Sequence, residues 1–459
     1  MPIEPSTNPH VVLVLPDGPA VRSFGLSGIA ARLAQGTDPC RVSVFAPSGA
    51  MASGTSGVTI QELPDVREGR IQATLRSARA WADRPVPARK PNGRTPRTYA
   101  QALLIRAIGT AAAVIPGGRR YLGQVHEATV ARSAASKHWT KLLRELEPDL
   151  VLCGHQRAGR ATAAMVAAKG LGVSTATFVY SWDNVAKGAF AFSADHYLVW
   201  SDRMNRELLE RYPWINPVQV SIVGTPQFEP HLDDSRVKSR DVFCAELRLR
   251  PDKPILLFSG DDITTSPEDP QYLDDVASAI EDDPQLDGVQ LIFRRCPADL
   301  STRYNHVLNK HPWISESEPI WTKPDSGAWN DSLPTDEDLT LLTNVVAHSA
   351  ASINIGSTIA MDFAVVGKPT IWLNYEATPG SEWFQRSPYR LPHFDSVRRH
   401  SPVDWVIDKR QLGYVLNQCI IDPDARQPGR QAWLEEELAL PIAGTCTRFI
   451  ETIKNLSRQ

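Results

Sequence analysis

Short apolar runs, each followed by a turn and then by a stretch with helical spacing, recur along most of the chain. Val11–Pro16 is apolar without alternation, the pattern of a strand buried on both faces, and Asp17-Gly18-Pro19 turns the chain toward a helix over Ser23–Ala34. Arg41–Ala46 and Ser56–Leu63 predict two more strands. Leu150–Cys153, Val173–Tyr180, His196–Trp200 and Val218–Val223 predict a further four, with helices over Arg160–Ala168 and Asp202–Arg211 among them. A second series begins at Pro254–Ser259. It continues through a helix at 271–281, the strand Val289–Phe293, helices near Ala298–Asn309 and Leu339–Ala347, and strands at Ala351–Ile355 and Thr370–Leu373. Leucine, isoleucine and phenylalanine recur at three and four over 401–420 and 431–455, which reads as helix. Strand, helix and strand in this rhythm imply parallel sheets with right-handed crossovers.

A chain of 459 residues is too long for one ordinary core, and the two strand series imply two domains. Gly224–Ser235, with two prolines and mixed charge, reads as the linker between them. The expected architecture is α/β: two Rossmann-like domains facing a cleft, closed by C-terminal helices. The expected spans are 1–228 for the N-terminal domain, 229–430 for the C-terminal domain and 431–459 for a final helix.

The first series is interrupted between about 66 and 144. Ile71–Trp81, Tyr99–Ile115 and 125–146 read as helices there, and Arg84–Arg97 as a Pro/Arg linker. This insertion also changes the electrostatic picture. The whole chain carries only −3, but Val66–Arg144 holds 16 Lys/Arg against Glu68, Asp83 and Glu127, a local balance of +13. Such a segment attracts phosphate or an anionic surface, or is simply a solvated face. Nucleic-acid sites interleave aromatics with the charges, and Trp81, Tyr99, Tyr121 and Trp139 are widely spaced, so a membrane surface or lipid phosphate is favoured over RNA or DNA.

The six cysteines are scattered without a CxxC pair, which argues against a disulfide scaffold or zinc site. The N-terminus is a poor signal peptide, and no apolar stretch approaches the ~20 residues that span a bilayer. A cytoplasmic protein, peripheral at the inner membrane face, is the expectation.

The most informative stretch is 353–373: a strand end, the turn Gly356-Ser357-Thr358, a short helix, a Gly-Lys-Pro stop and another strand. The amides and hydroxyls of Ser357 and Thr358 fall at a helix N-terminus, which suits a diphosphate, and Asp362 lies one turn on, where it could accept ribose hydroxyls. An ordinary capped helix has the same local pattern.

With Ser181-Trp182-Asp183-Asn184 and Lys187, the block Asp195-His196-Tyr197 through Gly224-Thr225-Pro226-Gln227-Phe228, Leu291–Pro297 and the 353–373 motif in view, the chain resembles the GT-B superfamily of nucleotide-sugar glycosyltransferases. It is most similar to bacterial surface-carbohydrate enzymes related to CDP-glycerol glycerophosphotransferases and UDP-N-acetylglucosamine 2-epimerases. The resemblance spans roughly 145–376 and omits the basic insertion. It implies an acceptor site in the N-terminal domain, a nucleotide sugar in the C-terminal domain and no further cofactor. Relatives often read Arg-x-His-Pro where this chain has Arg294-Arg295-Cys296-Pro297, and a thiol is a weak donor, which counts against epimerase chemistry.

These features nominate residues for each role. Arg294 and Arg295 end a strand and can neutralise a departing diphosphate bidentately, with Gly356, Ser357, Thr358 and Asp362 completing the nucleotide site and no metal required. The loop Ser259–Asp262 either lines the same site or merely turns, since two aspartates repel phosphate. Asp17, His155 and Asp183 follow N-domain strands and are the candidate bases; histidine has the pKa best suited to neutral pH. Trp182, Asn184 and Glu376 are candidates for sugar or acceptor contact. The expected activity is sugar transfer from a nucleotide-diphosphate sugar to a surface-polysaccharide or lipid-linked acceptor. The alternatives are a CDP-glycerol-type polyol phosphate transferase and a non-catalytic binding module of the same fold.

Overall fold

The structure is a computed structural model that describes residues 8–50, 57–64, 68–84, 99–322 and 331–459. It divides into two compact units. One comprises residues 1–227 with 437–459, and the other residues 228–436.

The first unit is built on a seven-stranded parallel sheet: β1 (His10–Val14), β2 (Arg41–Ala46), β3 (Val58–Glu62), β4 (Leu150–Cys153), β5 (Ser174–Phe178), β6 (His196–Val199) and β7 (Val220–Ile222). Its order is β3-β2-β1-β4-β5-β6-β7. The central strands β1 and β4 are buried along their whole length, as a sheet covered by helices on both faces requires. β1 pairs with β2 on one side and β4 on the other, so the chain reverses its direction of travel across the sheet there. The crevice beyond the carboxyl ends of two such strands is where open α/β sheets bind ligands.

Between β3 and β4 lies the helical insertion, with helices Arg70–Asp83, Tyr99–Val114, Gly118–Ala131 and Ala134–Leu146. Ala78, Ala82, Ala112 and Leu122 form its small core. The helix read over 125–146 is two helices, because Ser133 starts a new one by accepting the Ser136 amide at 3.1 Å. The Pro/Arg linker read over Arg84–Arg97 lies, apart from Arg84, outside the described residues.

The stretch read as a helix over Ser23–Ala34 begins earlier and is interrupted. A turn of helix at Gly18–Val21 is followed by a π turn at Arg22–Leu26 and a helix at Ile29–Leu33. The C-terminal helix read over 431–455 is also two, Gln427–Glu437 and Thr445–Leu456. The Ala439 amide leaves the line of the first for the Trp200 carbonyl at 2.8 Å, and Gly444 takes a left-handed φ of 89° before the second. The last helix belongs to the first unit, where Phe449 meets Phe24 and Phe178 edge-on at 5.7 and 5.1 Å.

The second unit carries a six-stranded parallel sheet of β8 (Ile255–Ser259), β9 (Gln290–Arg294), β10 (Ser315–Glu316), β13 (Ala351–Asn354), β14 (Thr370–Leu373) and β15 (Asp404–Val406). A separate antiparallel pair joins β11 (Trp321–Thr322) to β12 (Leu333–Pro334). The main order, β10-β9-β8-β13-β14-β15, reverses between β8 and β13. β15 occupies part of the 401–420 stretch read as helix, since three residues paired to β14 are too few to show a strand period. The Gly-Lys-Pro stop also closes a neighbouring helix end. The Lys368 ammonium donates to the Val346 and Ser349 carbonyls at 2.9 and 2.8 Å, where the Asp336–His348 helix finishes.

Candidate functional site

In the first unit, the carboxyl ends of β1 and β4 bring two of the three candidate bases together. Asp17 caps the Gly18–Val21 turn, accepting the Ala20 amide through Oδ1 at 3.2 Å. Its other oxygen, Oδ2, lies 2.5 Å from His155 Nδ1. The loops meet because Gly154 has no side chain: a Cβ there would lie 2.9 Å from Ala20 Cβ. The bond at Nδ1 fixes the imidazole, and Nε2 has no hydrogen-bond partner among the described residues. The Tyr180 ring stands edge-on to the imidazole at 4.2 Å. Burial, together with the Asp183 and Asp17 carboxylates, pushes the Tyr180 hydroxyl well above its usual range, so it remains protonated.

The remaining residues of this region stand differently. Asp183 pairs with the Lys187 ammonium and accepts from Asn184 Nδ2 at 2.8 Å. Asn184, a candidate for acceptor contact, is buried, and its Oδ1 accepts from Gln156 Nε2 at 2.9 Å, tying the loops after β4 and β5 to each other. Trp182, expected to stack on a sugar, is only 3% exposed and presents no face to a ligand.

In the second unit, the two arginines after β9 part ways. Arg294 is 5% exposed and donates to Asp338 Oδ1 at 2.7 Å. Asp338 also accepts from the Ile320 amide and Trp321 Nε1, so this guanidinium anchors the 317–321 segment and is not turned to a phosphate. Arg295 is half-buried. It donates once, to the Ser301 carbonyl at 2.7 Å, and its guanidinium lies over the Tyr304 ring at 5.1 Å. Its Nε and Nη2 have no hydrogen-bond partner among the described residues. Beside it, burial pushes the Cys296 thiol up to about 12, so it stays neutral.

At the end of β13, Gly356 has a φ of +65°, and a Cβ on it would lie 2.8 Å from Phe394 Cζ. The Ser357 amide is taken by Asn354 Oδ1 at 2.9 Å. The donors expected at this tip are therefore partly spent within the unit. The Thr358 and Ile359 amides and the Ser357 and Thr358 hydroxyls have no partner among the described residues. Asp362, expected to meet a ribose, is buried with Oδ1 2.7 Å from His231 Nε2. Glu376 is exposed and closes its own loop by accepting the Glu382 amide at 3.1 Å.

The loop after β8 turns on itself. Asp262 accepts the Thr264 and Thr265 amides at 2.8 and 3.2 Å. The Asp261 amide and Tyr304 hydroxyl both donate to Asp269, whose carboxyl burial pushes upward. Sequence reasoning passed over His231, Asp338 and Tyr304. None lies in a motif, and their roles come from partners 131, 44 and 35 positions away. Among the described residues, no group of three or more His, Cys, Asp or Glu is placed to hold a metal ion.

No family model matches the chain, and neither does any curated protein. Solved structures do match it in fold. MnaA of S. aureus, solved with UDP, aligns over 98% of both chains at 12% identity and a TM-score of 0.58. The UDP-GlcNAc 2-epimerase of Neisseria meningitidis bound to UDP-GlcNAc aligns over 97% of this chain and all of its own, at 11% identity and a TM-score of 0.51. The wall teichoic acid polymerase TagF, soaked with CDPG, aligns over 98% of this chain and 89% of its own, at 9% identity and a TM-score of 0.51. Two Rossmann-like domains with these neighbours make the fold of this chain the GT-B fold.

Proposed function

We propose that the chain is a glycosyltransferase that moves a sugar from a nucleoside-diphosphate sugar to a surface-polysaccharide or lipid-linked acceptor. The observation that carries this reading is the Asp17–His155 pair beyond β1 and β4. In an inverting transfer, His155 Nε2 takes the proton of the acceptor hydroxyl as its oxygen bonds to the anomeric carbon. The bond from that carbon to the diphosphate oxygen breaks, and the nucleoside diphosphate leaves. Asp17 holds the proton on Nδ1 and stabilises the imidazolium that forms. Arg295, the Thr358 and Ile359 amides and the Ser357 and Thr358 hydroxyls meet the charge on the departing diphosphate, so neither a metal nor a further cofactor is called for. Arg294 and Asp362 act from behind as positioning residues, through Asp338 and His231. Asp183, paired with Lys187, orients the acceptor loop with Asn184, and Glu376 shapes the loop after β14.

The chemistry suits a cytoplasmic protein, a reading supported by six cysteines that are all free thiols. A polyol phosphate transfer from a CDP-activated donor is the second reading. The likeness to TagF supports it, and the same base and anion donors would serve. The test is nucleotide release from UDP, CDP, GDP and dTDP donors, with and without a glycan or lipid-linked acceptor. Acceptor-stimulated release that His155→Ala removes, with nucleotide binding kept, supports transfer. Saturable binding of a donor with no release under any condition would make the chain a binding module.

A further inference from the structure

The Tyr99–Val114 helix of the insertion buries one side and leaves the other in water. Ile105, Ile108 and Ala112 pack into the insertion core, and Gly109 lets the helix approach the Arg70–Asp83 helix so closely that a Cβ would lie 2.7 Å from the Ala78 carbonyl. The opposite side carries Ala100, Leu103, Leu104, Ala107, Ala111 and Val114, all exposed. At 100° per residue these six share one face, about 100° wide. Leu104 is 51% exposed, Val114 75% and the following Ile115 59%, a degree of exposure seldom left to a contiguous apolar stripe. The next helix opens with exposed Arg120 and Tyr121.

Charge identifies the occupant. Across the described residues 99–126 stand Arg106, Arg119 and Arg120 and no Asp or Glu. A second copy of the chain would set this positive surface against itself, whereas a surface of phosphate headgroups over hydrocarbon complements both the charge and the stripe. Among the described residues no helix is long and apolar enough to cross a membrane, so the contact would be one of depth, not of spanning.

We propose that this face docks on an anionic lipid bilayer, with Leu103, Leu104, Val114 and Ile115 entering the interfacial layer while Arg106, Arg119 and Arg120 meet the headgroups. Docking rests on the transferase reading only for its purpose, the delivery of a lipid-linked acceptor; its test needs no turnover. The full chain is sedimented with vesicles of phosphatidylcholine alone and with vesicles containing phosphatidylglycerol, at low and high salt. The proposal expects pelleting only with the anionic vesicles, weakened by salt, and a loss of about tenfold or more in Leu103→Ser/Leu104→Ser and in Val114→Ser/Ile115→Ser. Both variants change exposed side chains, and unchanged circular dichroism and melting temperature confirm that they fold. Equal pelleting with neutral vesicles, or unaltered pelleting of both variants, overturns the proposal. So does a concentration-dependent dimer that the variants abolish while wild type ignores vesicles. Failure of donor turnover with vesicle binding intact would count against the transferase reading alone.

Discussion

Asp17 Oδ2 and His155 Nδ1 lie 2.5 Å apart, although 138 positions separate the two residues. The pairing orders an imidazole whose other nitrogen is left without a partner among the described residues, the arrangement needed to take a proton from a hydroxyl.

His155→Ala is expected to lower acceptor-dependent turnover by about 10²–10⁴-fold, the range for loss of a general base. Asp17→Asn should also lower it. Nucleotide affinity measured by calorimetry should hold in both variants, because the proposed diphosphate donors lie in the other unit. Turnover at the wild-type rate in His155→Ala would remove the base from the mechanism.

The two adjacent arginines should respond in opposite ways. Arg294→Ala leaves Asp338 charged and buried, which costs about 3–5 kcal/mol in unfolding free energy, read from denaturant titration. Arg295→Ala should leave stability nearly unchanged and weaken nucleotide binding by about 10–100-fold, as loss of charge-assisted hydrogen bonds does. A destabilised Arg295 variant with full affinity would reverse the assignment.

Gly356→Ala meets two penalties, the left-handed backbone and a Cβ against the Phe394 ring. Together they are expected to cost about 2–4 kcal/mol. The melting temperature should fall even without ligand, whereas Ser357→Ala should alter nucleotide affinity with little effect on melting.

Asp83 supplies a pH dependence. Burial pushes its carboxyl above the usual range, against the pull of Arg79, Arg211 and Arg119, and the Tyr212 hydroxyl donates to it at 3.2 Å. The folded state therefore holds the proton more tightly than the unfolded one. The contribution of this group is most favourable below the unfolded pKa of about 3.9 and declines as pH rises from there toward the folded value. Asp83→Asn cannot titrate, so its stability relative to wild type should increase with pH across that window. A difference independent of pH would refute the linkage.

Much of the architecture was legible in the chain itself. Apolar runs such as Val11–Leu15 have to be covered on both faces, and the turns after them put Asp17, His155 and the 356–358 tip at strand ends, where α/β sheets place their ligands. Local chemistry was enough for that, because strand burial and turn preference act within a few residues. Which side chains face a ligand was decided only in three dimensions. Arg294 and Arg295 are equal candidates in sequence, yet successive side chains leave a strand on opposite sides, and the cover provided by Asp338 turned one of them into an anchor. Asp362 and Asp17 each follow a plausible motif, but His231 closed off the first, and His155 gave the second a role in the proposed catalysis. Those outcomes depend on groups up to 138 positions away, brought within hydrogen-bond reach by burial of the sheets, a long-range effect with no local signature.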